Sequence, residues 1–245
     1  KMDRGTETLK SKLEGCEKME IHHARRGWLQ ECLCCITKSD FKYYSAGKKI
    51  AESKEEFSFC CRMCCAPFHS FDMTVKAPGS DSELIELSRP FRCCLMSCKC
   101  CCFQEATIFS GEDDLGEIRE TCWWFVPQFK VYDHDDETVY IIHPPTCAGG
   151  ACIDFFTEGN PCTHGCCKIP FRIYPVGAET TNGDAPYIGK MLKIPKENFC
   201  DVYNEVSYVE VQFPEGSTTN QKGLILGSYL LVNALHFEGS EQKMF

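Results

Sequence analysis

GLILGSYLLVNALHF, residues Gly223–Phe237, is the most continuously apolar stretch of the 245-residue chain. As a helix it would be apolar on every side, and a helix of that kind is buried in protein or in lipid. Fifteen residues rise about 22 Å, whereas the hydrocarbon core of a bilayer is about 30 Å thick. Asn233 and His236 also interrupt its C-terminal half. The length therefore favours a core helix over a membrane span, and the choice depends on what comes before it.

The preceding residues are typical of a mainly β protein built from antiparallel hairpins. Alternating runs such as Phe71–Val75 and Leu84–Leu87 are separated by polar turns such as residues 78–81. The pattern recurs as far as Val206–Phe213. Because alternating strands bury one face, many hairpins in one domain predict a closed barrel, which also removes exposed strand edges. Such a barrel needs a filling, and residues 223–237 supply an apolar helix for it.

The polarity of the chain divides it into three parts. Residues 1–36 are polar and mixed in charge, and they predict a mobile N-terminal arm. Residues 37–240 carry the hairpins and the apolar stretch, and they predict the barrel domain. Residues 241–245 are left as a short tail.

The composition is that of a globular protein except for its 21 cysteines. Their number is odd, many are adjacent, and the first thirty residues lack the apolar segment of a secretory signal. We therefore expect reduced cytosolic thiols that bind metal or carry lipid rather than a disulfide scaffold. A formal net charge of −9 disfavours nucleic acid as the main partner and repels an anionic membrane leaflet. Membrane attachment would then need calcium, acyl chains or an inserted helix.

No motif predicts an enzyme. The sequence has neither a phosphate-cradling loop nor a Gly-x-Ser-x-Gly motif, and no cysteine–histidine pair stands out as a nucleophile and its base. Cysteine clusters with ligand-like spacing could instead hold a structural zinc ion, or could be plain buried thiols. The residues that predict zinc are Cys61, Cys64, Cys162, His164, Cys166 and Cys167.

The segment CKCCCF, which begins at Cys98, suits S-acylation better than metal binding. Adjacent thiols cannot all bind one ion without strain, whereas several thioesters can each place a chain in a bilayer, and two chains anchor stably where one does not. Some of these thiols could also simply pack in the barrel wall. The predicted lipidation sites are Cys98, Cys100, Cys101 and Cys102.

The stretch Asp201–Glu215 alternates oxygen donors with apolar residues. Calcium prefers six to eight oxygen ligands from a flexible loop, but the Asp-x-Asp-x-Asp-Gly core of a high-affinity site is absent. The alternative is an amphipathic strand over Val206–Phe213 with its polar residues in water. The candidate ligands of a weak calcium site are Asp201, Glu205, Ser207, Glu210 and Glu215.

Several ordered motifs resemble the phospholipid scramblase family. CCRMCCAPFHSFDM at Cys60–Met73 is similar to its paired cysteines before a hairpin, and RPFRCCLMSCKCCCFQEATI at Arg89–Ile108 to its acylation segment. GEIRETCWWFVPQFKVYD at Gly116–Asp133 is similar to its Trp-containing corner, and QFP at Gln212–Pro214 to its C-terminal end. The resemblance covers roughly residues 37–240.

This resemblance implies a tubby-like barrel of about twelve antiparallel strands around one C-terminal helix. It also implies calcium-dependent, ATP-independent, bidirectional movement of phospholipids at the plasma membrane. The protein would lie on the cytosolic face, held by acylation or by the C-terminal helix, with protein partners or a homo-oligomer as further expectations. Gly189–Lys196 matches a segment that acts as a nuclear import signal in some relatives, so an unacylated form could reach the nucleus. The same lysines could equally face outward from a hairpin strand.

The sequence departs from the family pattern in its calcium window, Glu205–Gly216. Glu205 replaces the first Asp, Ser207 stands where a second acid would be, and Gly216 stands at the last acid. Any calcium site here is therefore expected to be weak, or to borrow Asp201. Three functions remain open: a phospholipid scramblase, an acylated adaptor without lipid transport, and a zinc-stabilised binding module.

Overall fold

The computed structural model has a closed barrel of twelve antiparallel strands and one C-terminal helix, which confirms the predicted fold class. It describes residues 11–23, 40–57, 69–79, 82–92, 102–122, 125–154, 170–178, 185–194 and 208–237. The strands are β1 (Lys18–His23), β2 (Asp40–Ser45), β3 (Lys48–Phe57), β4 (Phe71–Lys76), β5 (Glu83–Arg89), β6 (Glu105–Ser110), β7 (Asp113–Glu120), β8 (Phe129–Asp133), β9 (Thr138–His143), β10 (Thr146–Cys147), β11 (Cys152–Ile153), β12 (Phe171–Pro175), β13 (Gly189–Ile194) and β14 (Tyr208–Gln212). β10 and β11 pair only with each other, and the other strands close the barrel in the order β1-β14-β13-β12-β9-β8-β7-β6-β5-β4-β3-β2.

The first strand corrects the predicted N-terminal arm. Residues 18–23 lie within the stretch 1–36, yet they pair with β2 on one side and with β14 on the other. Met19 and Ile21 alternate along this strand and are buried in the core. Because β1 joins the first and last hairpins, it pairs two edges that would otherwise be open. The barrel therefore begins well before residue 37.

The central helix, α1, spans Thr219–Val232 and continues as one π-helical turn over Asn233–Phe237. It begins before the apolar stretch because Thr218 and Gln221 form a capping box. The Gln221 N–H donates to the Thr218 hydroxyl at 3.3 Å, and the Thr218 N–H donates to Gln221 Oε1 at 2.9 Å. At the other end, Lys193 Nζ donates to the Phe237 carbonyl oxygen at 2.8 Å. A cation at a helix C-terminus satisfies exposed carbonyl groups and complements the helix dipole.

Every residue of α1 from Gly223 to Val232 is buried, which supports the core-helix interpretation. The helix packs closely against β6 at Gly227, where an added Cβ would lie 2.6 Å from Ile108 Cδ1. Polar atoms within the helix are also satisfied locally, since Ser228 Oγ donates to the Leu224 carbonyl oxygen at 2.7 Å. In the part of the chain that the structure describes, no helix has both the length and the apolar character needed to span a bilayer.

The connections leave the barrel at two ends. We call the end that holds Arg89, Glu105 and Phe129 the upper rim, and the opposite end the lower rim. The connections that start and finish on upper-rim strand ends comprise residues 24–39, 58–70, 90–104, 121–128, 144–170 and 195–207. Every cysteine in the sequence except Cys16 belongs to one of these upper connections. The strand ends that flank these cysteines in the sequence therefore lie at one end of the barrel.

The substitution Gly227→Ala tests the close contact between helix and wall. The new methyl group would overlap the fully buried Ile108, and overpacking of this kind costs about 1–3 kcal/mol in the free energy of unfolding. In an Ile108→Ala background the same substitution should be neutral or stabilising, because space is then free and Ala favours a helix by about 1 kcal/mol over Gly. Urea unfolding of the four proteins measures both effects. Equal destabilisation by Gly227→Ala in the two backgrounds would contradict the contact.

Candidate functional site

One buried side chain holds the base of the cysteine-rich segment. Gln104 is fully buried; its Nε2 donates to the Arg92 carbonyl oxygen at 2.8 Å, and its Oε1 accepts from Arg89 Nη2 at 2.6 Å. The Gln104 N–H donates to Glu120 Oε2 at 3.0 Å, and the Glu120 N–H donates to the Gln104 carbonyl oxygen at 2.7 Å. Arg92 and Gln104 flank the predicted acylation segment, so its two ends are fixed side by side at the upper rim. We call Arg89, Arg92, Gln104 and Glu120 the Gln104 clamp.

The clamp carries buried charge that is paired with polar groups. Arg89 is 1% exposed, and its guanidinium lies 5.4 Å from the centre of the Phe71 ring. Arg92 forms an ion pair with Glu105 at the start of β6. The hydrogen bond between Arg89 Nη2 and Gln104 Oε1 is costly to break, because the loss of a partner for a buried charged group is expensive in a medium of low dielectric constant. The clamp is therefore a fixed base for the connection that leaves from it.

The structure describes one of the four predicted lipidation sites. Cys102 is exposed, and its backbone has the left-handed φ of 57°. Cys98, Cys100 and Cys101 lie outside the described residues. Their acylation stays a prediction; the exposed thiol of Cys102 beside the Gln104 clamp is the part of it that can be located.

The described surface of the upper rim carries two exposed aromatic side chains. Phe91, next to the clamp, is 47% exposed, and Phe125, in the connection between β7 and β8, is 72% exposed. The nearby His143 is buried against the Tyr174 ring at 4.3 Å. Burial, reinforced by the positive charge of Arg172, lowers the pKa of His143 against the opposing hydrogen bond to Pro144, so this histidine is neutral at physiological pH. The described upper rim thus presents two exposed aromatic side chains, and His143 contributes no positive charge to it.

The lower rim differs from the upper rim in its charge. Its described turns between β6 and β7 and between β8 and β9 are strongly acidic. The acidic residues of these turns are Glu112, Asp113, Asp114, Asp133, Asp135, Asp136 and Glu137. Apolar exposure on this side is confined, among the described residues, to the connection between β12 and β13, which carries Val176, Tyr187 and Ile188.

The predicted calcium ligands are only partly described. Asp201, Glu205 and Ser207 lie outside the described residues, whereas Glu210 lies on β14 and Glu215 in the exposed turn after it. The Glu210 carboxylate forms an ion pair with Lys18 at 2.8 Å, and this hydrogen bond raises the pKa of Lys18. β14 is paired on both sides, so residues 208–212 form an extended strand and not a loop that surrounds an ion. The alternative prediction, an amphipathic strand, is confirmed for these five residues.

A different acidic turn brings together several groups of the kind that bind metals. Among the described residues, the groups of Asp133, His134 and Asp135 lie within 4.8 Å of one another. The Asp133 carboxylate already accepts hydrogen bonds from the N–H groups of Asp135 at 3.1 Å and Glu137 at 3.0 Å. These contacts are typical of an Asx turn that shapes the β8–β9 hairpin, so the cluster has a structural explanation without an ion.

The zinc prediction falls entirely on residues outside the described ranges, namely Cys61, Cys64, Cys162, His164, Cys166 and Cys167. The described cysteines are all free thiols: Cys16, Cys102, Cys122, Cys147 and Cys152.

The Gln104 clamp was not predicted from the sequence. The Gln-Glu pair after the cysteines was noted as part of a motif, but nothing in the pattern predicted that Gln104 would reach back to Arg92. Gln104 lies just before β6 and extends the inward alternation of Ala106 and Ile108 by one position. A glutamine at such a position is the signal that could have found the clamp, because a buried amide needs polar partners.

Comparisons with known proteins agree with the sequence motifs that resemble the phospholipid scramblase family. The family model described as Scramblase matches residues 27–158. Phospholipid scramblase 2 from Bos taurus is 28% identical over 199 residues, which cover 79% of this chain and 59% of the relative. Phospholipid scramblase 1 from Homo sapiens is 27% identical over 207 residues, which cover 81% of this chain and 57% of the relative. The chain thus spans less than two thirds of the length of these relatives. No solved structure matches it significantly.

The substitution Gln104→Leu tests the clamp. It keeps the side chain close to its size but removes hydrogen bonds to a buried guanidinium and to a backbone carbonyl, which should lower the free energy of unfolding by about 2–5 kcal/mol. Gln212→Leu is the matched control, because Gln212 is exposed on β14 and should change stability by about 0.5 kcal/mol or less. Urea unfolding measures both. A similar loss of stability in the two variants would contradict a stabilising role for the hydrogen bonds of Gln104.

Proposed function

The chain belongs to the scramblase family, and from that premise we propose that it moves phospholipids between the two leaflets of a membrane. The observation that carries this proposal is the upper rim, where the Gln104 clamp fixes both described ends of the cysteine-rich segment, next to the exposed Phe91. The family match covers the clamp and the strands β2–β11 around it. Since the relatives are longer than this chain, the activity is proposed for it and not carried over from their names.

The upper rim has the chemistry of a membrane-contacting surface. Phe91 and Phe125 lie on connections from the same rim, and exposed phenylalanine side chains can be buried at the boundary between headgroups and acyl chains. Acyl chains on Cys98, Cys100, Cys101 and Cys102 would add the anchors, and two or more such chains hold a protein stably on a membrane. The rigid clamp would then keep the barrel close to the lipid surface rather than at the end of a flexible tether.

Charge supports the same orientation. The net charge of −9 repels the anionic cytosolic leaflet, so acidic groups should face away from it. The acidic turns between β6 and β7 and between β8 and β9 lie on the lower rim. A barrel anchored by its upper rim would hold these turns about the length of a strand farther from the membrane, and screening at physiological salt acts over about 8 Å. We therefore propose that this protein lies on the cytosolic face of the plasma membrane.

We further propose that calcium promotes the activity through a weak site. Candidate ligands are Asp201, Glu205, Ser207, Glu210 and Glu215. Glu210 can contribute only if it gives up its ion pair with Lys18, which adds a cost to binding. Calcium could also act by bridging acidic side chains to anionic lipid headgroups, because both offer the oxygen ligands that it prefers. No nucleotide enters either scheme, so the movement of lipid is proposed to be independent of ATP.

One observation favours a second function. The apolar helix fills the barrel, so the described part of the protein offers no apolar path through its centre for a lipid tail. A barrel anchored by acyl chains could then serve as an adaptor that binds protein partners without moving lipid. The two functions share the upper rim as their membrane contact and differ in whether the anchored protein disturbs the bilayer.

A vesicle assay separates the two functions. Acylated protein is reconstituted with a fluorescent phospholipid, and dithionite quenching is followed with and without calcium. A scramblase raises quenching from about half of the label, the outer leaflet alone, towards all of it. If the two phenylalanine contacts together contribute about 1.4 kcal/mol, which is a tenfold change in rate, Phe91→Ser with Phe125→Ser should slow transport by about tenfold. Replacing Cys98, Cys100, Cys101 and Cys102 with Ser should abolish it.

Val176→Ser with Ile188→Ser is the matched control, because these exposed apolar residues lie on the lower rim. This variant should transport lipid at the wild-type rate. Quenching that stays at half for acylated wild-type protein in calcium would favour the adaptor. Equal losses in the upper-rim and lower-rim variants would contradict the proposed orientation.

A further inference from the structure

Two cysteines face each other on the small sheet in the connection between β9 and β12. In the pairing of β10 with β11, Cys147 lies directly opposite Cys152. The strands are joined by a turn over Ala148–Gly150, in which all three residues have positive φ. This pair takes no part in the Gln104 clamp, in the predicted calcium site or in the predicted acylation segment.

The side chains of this pair lie against each other's strand. Cys147 Sγ donates to the Cys152 carbonyl oxygen at 3.7 Å, and Cys152 Sγ donates to the Cys147 carbonyl oxygen at the same distance. Directly opposed residues in an antiparallel pair have Cα atoms about 4.5–5.5 Å apart and side chains on the same face. A disulfide needs a Cα separation of about 4.4–6.8 Å. The two thiols can therefore be joined without a change of register.

The surroundings make this pair accessible and adjustable. Both cysteines are partly exposed, so a small reagent in solution can reach them. An added Cβ at Gly149 would meet nothing within 4 Å, so the turn has room to adjust. The loop between the two cysteines is short, and closing a short loop removes little entropy from the unfolded chain. A bond formed here should stabilise the fold only slightly and should be easy to reduce again.

The other described thiols differ from this pair. Cys16 is buried and bonds to the Ser45 hydroxyl and the Lys18 carbonyl oxygen, while Cys102 and Cys122 are exposed. The hydrogen bond with Cys152, together with burial and the neighbouring charges of Cys152 and Asp154, raises the pKa of Cys147.

We propose that Cys147 and Cys152 form a reversible redox site, a cross-strand dithiol that a small disulfide such as oxidised glutathione converts into an intramolecular disulfide. The thiolate of one cysteine attacks one sulfur of oxidised glutathione, breaks its S–S bond and releases one glutathione thiolate. The other cysteine then gives its proton to solvent, and its thiolate attacks the protein sulfur of the mixed disulfide, which releases the second glutathione. Two protein thiols are oxidised to one disulfide, and one oxidised glutathione is reduced to two thiols. This site does not depend on the proposed lipid transport.

Peptide mass spectrometry tests the site in the full chain. The protein is equilibrated in buffers of reduced and oxidised glutathione, quenched with acid, alkylated and cut on the N-terminal side of Asp. The peptide Asp136–Ile153 contains Cys147 and Cys152 and no other cysteine. Its form lacking two hydrogens should increase about tenfold or more from the most reducing to the most oxidising buffer, and reduced glutathione should reverse the change.

Two controls accompany this measurement. In Cys147→Ser or Cys152→Ser protein, the remaining thiol should accumulate a glutathione adduct. The peptide Asp114–Tyr132, whose one cysteine is Cys122, should also take an adduct in the wild-type protein. The proposal is overturned if Asp136–Ile153 stays reduced while the Cys122 peptide reacts, if it carries two adducts, or if either of its cysteines is linked to another peptide.

Discussion

Ten consecutive residues of α1, Gly223–Val232, are buried from every direction by the barrel wall. The wall depends on the helix as much as the helix depends on the wall, because inward residues such as Ile108, Ile118 and Val131 are fully buried only while the helix is present. Each such side chain contributes about 1.5–3 kcal/mol when buried, and several together match the 5–15 kcal/mol by which a whole domain is stable. Removing the helix to span a bilayer would therefore unfold the barrel.

In the proposed function, this constraint leaves the connections to make contact with lipid. The upper rim carries the Gln104 clamp, the exposed Phe91 and Phe125, and the strand ends from which all the cysteine-bearing connections but that of Cys16 leave. The lower rim carries acidic turns. Lipid transport by such a molecule would act from the membrane surface, through acyl chains and aromatic groups held by a rigid base. The same connections place the facing thiols of Cys147 and Cys152 on this end of the barrel, between β9 and β12.

The sequence predicted what depends on local pattern. Hairpins with alternating apolar residues, the closed barrel and the C-terminal helix all follow from periodicities within a few residues. β1 was missed because its inward set, Met19 and Ile21, is too short to stand out in a charged arm. β3 was not distinguished because two of its buried inward residues are polar: Ser53 accepts a hydrogen bond from the Tyr43 hydroxyl at 3.0 Å, and Glu55 pairs with His69 at 3.1 Å. The Gln104 clamp joins residues brought together by tertiary structure, which no periodicity records.

Hydrogen exchange in the presence of vesicles tests most directly whether the helix belongs to the barrel. Acylated protein bound to vesicles is compared with the same protein in solution, and exchange is followed for the amides of Leu224–Val232. A helix that fills the barrel exchanges only through global unfolding, so its amides should be the slowest in the protein and unchanged by vesicles. If the helix instead leaves the core for the bilayer, the amides of the barrel strands should lose protection on vesicles while those of Leu224–Val232 keep theirs. That result would contradict a helix that belongs to the barrel.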